Sequence, residues 1–143
     1  MGEIAAYVAH ALGELASGST WIWIIIGTFM GIIVGAIPGF TSSMATGILL
    51  PVTFALTPVN ALVFLISVYI ATIYGGSITA ILLNTPGAPE SSASTFDGYQ
   101  MTLKGQGCEA LGAAFCASAC GGLISYVFMI FAMIPIARMA VKI

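Results

Sequence analysis

The chain has 143 residues; 59% are hydrophobic and 6% carry a charge. A soluble domain of this size gives about a quarter of its residues to charge, because its surface must face water, so a freely soluble globular fold is excluded. Three basic residues and a formal net charge of −2 also exclude a nucleic-acid surface, which needs clustered cations against the phosphates.

The placement of the charges says more than their number. Between Glu14 and Glu90 no Asp, Glu, Lys or Arg occurs, and a second charge-free stretch runs from Ala110 to Ala137. Lipid is the solvent these stretches fit. The expected fold class is therefore all-α: a polytopic integral membrane protein with discontinuous or re-entrant helices. Residues 1–20 read as an N-terminal amphipathic, interfacial segment, with Ile4, Tyr7, Val8, Ala11, Leu12 and Leu15 on one face, and residues 21–143 as the transmembrane domain. The segment lacks a basic start, so it does not read as a cleavable signal peptide. Its lone His10 fits a solvated or headgroup-level position better than a catalytic one.

The first apolar block runs from Trp21 to Ile37, with Trp21 and Trp23 where an interfacial aromatic belt would lie. Gly27, Gly31, Gly35 and Gly39 recur every fourth residue. That spacing puts them on one stripe and lets a second helix approach closely. The sequence Ile37-Pro38-Gly39-Phe40 then interrupts the block, since proline disfavours helix in the residue before it and glycine relaxes the backbone after it. Thr41, Ser42, Ser43 and Thr46 follow at once. A break with a hydroxyl cluster, inside a charge-free stretch, is tolerable only where protein or water satisfies the freed backbone groups.

The next block, Val59 to Leu83, carries Tyr74-Gly75-Gly76-Ser77, which reads as an interruption, and leads into Asn84-Thr85-Pro86-Gly87-Ala88-Pro89. From there to Gly107 the chain is polar and glycine-rich, with Glu90, Asp97 and Lys104. The last block, Leu111 to Ala137, is again long enough to span. Small residues line it at Gly112, Ala113, Cys116, Ala117 and Gly121. Cys116 and Cys120 share a helical face without favouring a disulfide, and with Cys108 they read as small packing residues. Lys104 and Arg138 flank one span and vote for opposite sides, so charge assigns no orientation.

No enzymatic constellation is present. The single histidine stands outside the apolar blocks, and no Gly-x-Ser-x-Gly elbow or Walker-type glycine loop occurs. Broken helices, in contrast, are how secondary transporters build solute sites: half-helix N-termini face anions and freed carbonyls hold cations. The two interruptions, at Pro38-Gly39 and from Gly75 through Pro89, are both followed by hydroxyl or amide residues. Such groups direct an anion held by exposed N–H groups and helix dipoles.

The run from Tyr74 to Tyr99, with Gly75-Gly76-Ser77 and Asn84-Thr85-Pro86-Gly87-Ala88-Pro89-Glu90-Ser91-Ser92 inside it, resembles the large membrane subunit of the tripartite tricarboxylate transporters, the TctA family. Gly31 to Gly39 and Gly105 to Gly112 match in the same order, so the resemblance covers roughly residues 20 to 125. Members of that family are longer, with about a dozen helices, and the chain resembles their N-terminal portion. The resemblance implies carboxylate uptake across a bacterial inner membrane by a multi-pass permease, driven by an ion gradient. Its partners would be a small membrane subunit and a periplasmic solute-binding protein. No cofactor is implied beyond Na+ or H+ as the coupling ion. Matching positions give Gly35, Pro38 and Gly39 at the first break, with the adjoining Thr41 and Ser42. At the second they give Ser77, Asn84, Thr85, Pro86, Gly87, Ser91, Ser92 and Thr95. Asp97 stays open between ion coupling and loop structure.

The function expected is that of a permease subunit working by alternating access. The alternatives are a non-transporting membrane scaffold, which would tolerate alanine at Asn84 and Thr85, and a passive channel, whose flux would not depend on an ion gradient.

Overall fold

The computed structural model describes Gly13 and residues 18–140, with side chains as far as 133. The amphipathic segment expected over residues 1–20, His10 included, therefore lies almost wholly outside the described residues. The elements are α1 (Gly18–Gly35), α2 (Ser42–Thr53), α3 (Pro58–Leu83), a 3-10 turn at Pro89–Ser91, α4 (Ala93–Leu103) and α5 (Gly107–Ala140). No strand occurs among the described residues. Among the described residues three helices are long and apolar enough to cross a membrane: α1, α3 and the Gly107–Met133 part of α5. The chain is an all-helical membrane protein.

The helix boundaries follow local chemistry. α1 ends where Pro38 and Gly39 stop it, with Gly39 at φ +86°, a conformation glycine reaches without strain. Thr41 caps α2, its hydroxyl accepting from the Met44 N–H at 3.3 Å, which satisfies one of the donors a helix start leaves free. Pro58 opens α3 at its first position, where a missing N–H costs nothing. α3 ends at Asn84, whose left-handed backbone (φ 57°, ψ 25°) turns its N–H onto the Thr79 carbonyl.

α1 and α3 run side by side in the same direction. Thr20 meets Asn60 through a 3.1 Å hydroxyl–amide hydrogen bond, Gly27 faces Phe64, Gly31 faces Val68, and Gly35 faces Thr72. Gly27, Gly31 and Gly35 are thus the seam, whereas Gly39, the fourth of the expected stripe, lies past the end of α1, where a β-carbon would meet nothing within 4 Å. At Gly31 a β-carbon would stand 2.6 Å from the Val68 carbonyl oxygen and 2.7 Å from the Ala71 β-carbon. Gly75 completes the seam from the other helix, where a β-carbon would be 2.6 Å from the Ile32 carbonyl oxygen. In lipid no hydrophobic force drives two helices together, so this close backbone approach is what the pair relies on.

α2 returns beside the pair, packed mainly on α3, from the level of Gly35 to the start of α3. It buries Ala45 against Phe64 and Val68, with Trp23, Val34, Leu49, Leu56 and Leu65 around that core. Trp23 meets Phe64 edge-on at 5.9 Å. The outer faces stay apolar and exposed at Ile25, Phe29, Ile33, Leu62 and Ile66, as lipid contact requires.

Two expectations are corrected. Tyr74-Gly75-Gly76-Ser77 does not interrupt α3, which is helical from Pro58 to Leu83. The glycines there serve close packing, and a helix inside lipid keeps its hydrogen bonds wherever neighbours do not replace them. The three cysteines are free and exposed rather than packed, because α5 meets its neighbours mainly through Ala110 and Phe115 among the described residues.

Candidate functional site

The two helix breaks, some fifty residues apart in sequence, meet in space. Gly87 sits on the end of α1 and the middle of α3 at once: a β-carbon there would stand 2.5 Å from the Gly35 carbonyl oxygen and 2.7 Å from Gly76 Cα. The Gly87 N–H points to the Gly76 carbonyl at 3.4 Å. Three backbones therefore converge with no side chain between them, which only glycine allows.

The convergence point has a definite depth. Gly76 lies 18 residues into α3, so at 1.5 Å per residue it is about 27 Å from that helix's start and about 10 Å short of its end. After Leu83 the chain turns at Asn84 and folds back along the last turns of α3 to reach Gly76. α4 then runs forward again beside α3. Gly98 packs on Ile81, and the Thr102 hydroxyl donates to the Ile81 carbonyl at 2.8 Å. The segment from Asn84 to Leu103 is thus a re-entrant loop and short helix laid against α3. The sequence read this stretch as a polar connector; Phe96, Tyr99 and Leu103, at helical spacing, were the signal for α4.

The expected site residues divide into three groups. Gly35, Ser77, Gly87 and Ser91 are brought together around Gly76. Ser91 is 1% exposed; its hydroxyl donates to the Ile73 carbonyl at 3.2 Å and accepts from Ser77 at 3.3 Å. A second group faces outward: Pro38 and Gly39 at the first break, Asn84 and Thr85 at the second, and Asp97 on α4 are exposed, and Pro86 is half-buried. The Thr85 hydroxyl donates to the Leu83 carbonyl at 3.1 Å. The third group serves local backbone. Thr41 caps α2, Ser42 is buried at the start of that helix, and the Thr95 hydroxyl donates to the Ser92 carbonyl at 2.6 Å.

The sequence placed Gly76 in an interruption and not among the site residues, and it did not single out the Ile73 carbonyl. Nor did it single out Thr79, buried with its hydroxyl on the Gly76 carbonyl at 3.1 Å. Only the fold shows that a glycine inside a helix receives a loop.

Two crevices flank the Tyr74–Phe115 ring contact, which is edge-on at 5.7 Å. One, of about 440 Å³, lies among Ile70, Tyr74, Phe115, Ala119, Leu123 and Tyr126. The other, of about 290 Å³, lies among Thr28, Ile32, Ser67, Ile70, Ala71, Tyr74 and Phe115. Their walls are mostly hydrocarbon, which suits acyl chains or side chains and would strip an anion of its hydration without replacement. Among the described residues no group of three or more His, Cys, Asp or Glu could hold a metal ion.

Filling the glycine junction tests its tightness. Gly87→Ala is expected to lift the loop off α3 at a cost of about 2 kcal/mol, since the atoms in the way are backbone and cannot rotate aside. A lowered thermal midpoint, with faster amide exchange confined to residues 84–92, would be the readout.

Apolar spans with the break after α1 and the returning loop after α3 packed together on one glycine junction define a polytopic membrane protein. The chain belongs to the tripartite tricarboxylate transporter TctA family, whose model matches residues 21–143. It is 38% identical over 121 residues to a protein of Agrobacterium vitis described as "Uncharacterized 52.8 kDa protein in TAR-I ttuC' 3'region", a match covering 85% of this chain and 24% of that one. The chain spans about a quarter of the length of that relative. No solved structure matches.

Proposed function

We propose that this chain forms part of the substrate pathway of a membrane permease subunit that takes up tricarboxylates or related carboxylates. The permease is a secondary transporter, driven by a Na+ or H+ gradient and dependent on a binding protein. Its partners are a small membrane subunit and a periplasmic solute-binding protein, and it lies in the bacterial inner membrane with several passes. The observation that supports this most directly is the junction of Gly35, Gly76 and Gly87, which brings both helix breaks to one depth inside apolar spans.

Irregular backbone at that depth is stable only against protein or a water-filled cavity. Buried Gly87, Ala88 and Ser91 give the loop a protein side, while exposed Asn84 and Thr85 give it an open one. Amide and hydroxyl groups there direct a carboxylate by hydrogen bonds without fixing a full charge in the membrane. Asp97, exposed on α4, is one of two acidic groups in the motif, with Glu90, and is the one proposed to couple a cation.

The test is uptake of labelled citrate and related carboxylates into proteoliposomes holding the chain within its complete permease, with the small subunit and the binding protein. Uptake that appears only under an imposed Na+ or H+ gradient supports the reading. Equal flux with and without the gradient means a channel, and no flux means a scaffold.

A further inference from the structure

We infer that Ser91 does not touch the substrate but is a positioning residue: its hydroxyl latches the Asn84–Ser92 loop to α3 and so holds the exposed Asn84–Thr85 pair in its binding-competent place. This deepens the transport reading and rests on it. The argument starts from burial. At 1% exposure the Ser91 side chain has no open face from which to meet a solute. Both of its hydrogen bonds run inward, to the Ile73 carbonyl at 3.2 Å and from Ser77 at 3.3 Å.

Beyond the Asn84 N–H that closes α3 on the Thr79 carbonyl, the other ties between loop and helix are longer. The Thr85 N–H reaches the Thr79 carbonyl and the Gly87 N–H the Gly76 carbonyl, each at 3.4 Å, the long end of hydrogen-bond range. The other loop contacts at Gly76 and Gly35 are close approach without donors: a β-carbon on Gly76 would stand 3.0 Å from the Ser91 oxygen and 3.2 Å from the Ala88 nitrogen. Close packing resists compression of the loop onto α3 but does not hold it there. The hydroxyl does.

The removal of that hydroxyl is also clean. Ser77 retains the Ile73 carbonyl as acceptor at 3.2 Å, so Ser91→Ala leaves no buried donor without a partner. Its effect then reads as loss of the latch. A site populated only part of the time binds with an affinity reduced by that fraction. If the loop is seated about a tenth of the time, the substrate concentration for half-maximal uptake rises roughly tenfold while the maximal rate is kept.

The experiment has three arms in the complete permease. Amide exchange of Ser91→Ala is expected to speed about tenfold over residues 84–92 and to stay unchanged in α1 and α5. Its half-saturating carboxylate concentration is expected to rise about tenfold, with the maximal rate per folded molecule within twofold. Ser77→Cys with Ser91→Cys, with Ser replacing Cys108, Cys116 and Cys120, is expected to restore the original half-saturation when oxidised and lose it again on reduction. The two hydroxyl oxygens, 3.3 Å apart, bring the pair within disulfide reach. Unchanged exchange in the loop overturns the latch. So does a fall in maximal rate with half-saturation preserved. If the unsubstituted permease takes up no carboxylate, the transport reading falls on that result, and the exchange arm alone decides the latch.

Discussion

Replacing Gly31 by alanine is expected to destabilise the protein by about 3 kcal/mol, although the substitution adds one methyl group to a helix that alanine otherwise favours. The new β-carbon would stand 2.6 Å from the Val68 carbonyl oxygen and 2.7 Å from the Ala71 β-carbon, against about 3.5–4.0 Å for ordinary carbon contacts. Neither obstacle is the end of a flexible chain. α1 must therefore move away from α3, and the contacts at Gly27, Gly35 and Gly75 loosen with it. Overpacking of a tight contact costs about 1–3 kcal/mol, and a seam with reciprocal glycines belongs at the top of that range. The comparison is Gly47→Ala in α2, where nothing lies within 4 Å of the added carbon. There helix propensity alone acts, and a gain of up to about 1 kcal/mol is expected. Reversible unfolding in mixed detergent micelles measures both. Equal losses at the two sites would assign the cost to glycine flexibility rather than to helix contact, and the seam would have to be abandoned as the basis of the α1–α3 pair.

That contrast also shows what could be read from the residues alone. The spans were legible because lipid requires long charge-free runs, and the first break because Pro38 and Gly39 leave the backbone no helical alternative. The stripe Gly27-Gly31-Gly35 announced a close helix partner through its spacing, but nothing local named α3 as that partner or fixed the parallel direction. Gly75-Gly76 misled for the same physical reason. A glycine pair relaxes a helix and also admits a neighbour, and which effect operates depends on what arrives from elsewhere in the chain. Here Gly75 receives α1 and Gly76 receives the loop of Gly87, so the helix continues. The candidate site was legible as a set of residues and not as an arrangement. Asn84, Thr85, Ser77 and Ser91 stand in one motif, yet the fold turns the first two outward and the last inward. Hydroxyl chemistry is identical on either side of a loop; only long-range packing decides which one faces open space.

Asn84 carries the sharpest separation of shape from chemistry, and alanine is the wrong replacement to find it. Its backbone is left-handed, at φ 57° and ψ 25°, and its N–H folds back onto the Thr79 carbonyl to close α3. Asparagine tolerates that conformation and glycine adopts it freely, whereas an ordinary side chain is strained there by about 1–2 kcal/mol. Asn84→Ala thus removes the carboxamide and strains the helix end together. Asn84→Gly removes the carboxamide alone. Under the proposed function, Asn84→Gly is expected to keep its unfolding midpoint, because the side chain is exposed and the turn is preserved. Its uptake at low substrate concentration is expected to fall by roughly 10–100-fold, the loss of one hydrogen bond to a charged group. Asn84→Ala should show the same fall in uptake together with a stability loss of about 1 kcal/mol. The informative disagreement is full uptake in the glycine variant with loss in the alanine variant. The carboxamide would then contribute only geometry, closing α3 so that the chain can double back to Gly76. Recognition of the carboxylate would pass to Thr85 and to the backbone N–H groups of the loop, and the same pair of measurements at Thr85, as Thr85→Ala against Thr85→Ser, would locate it.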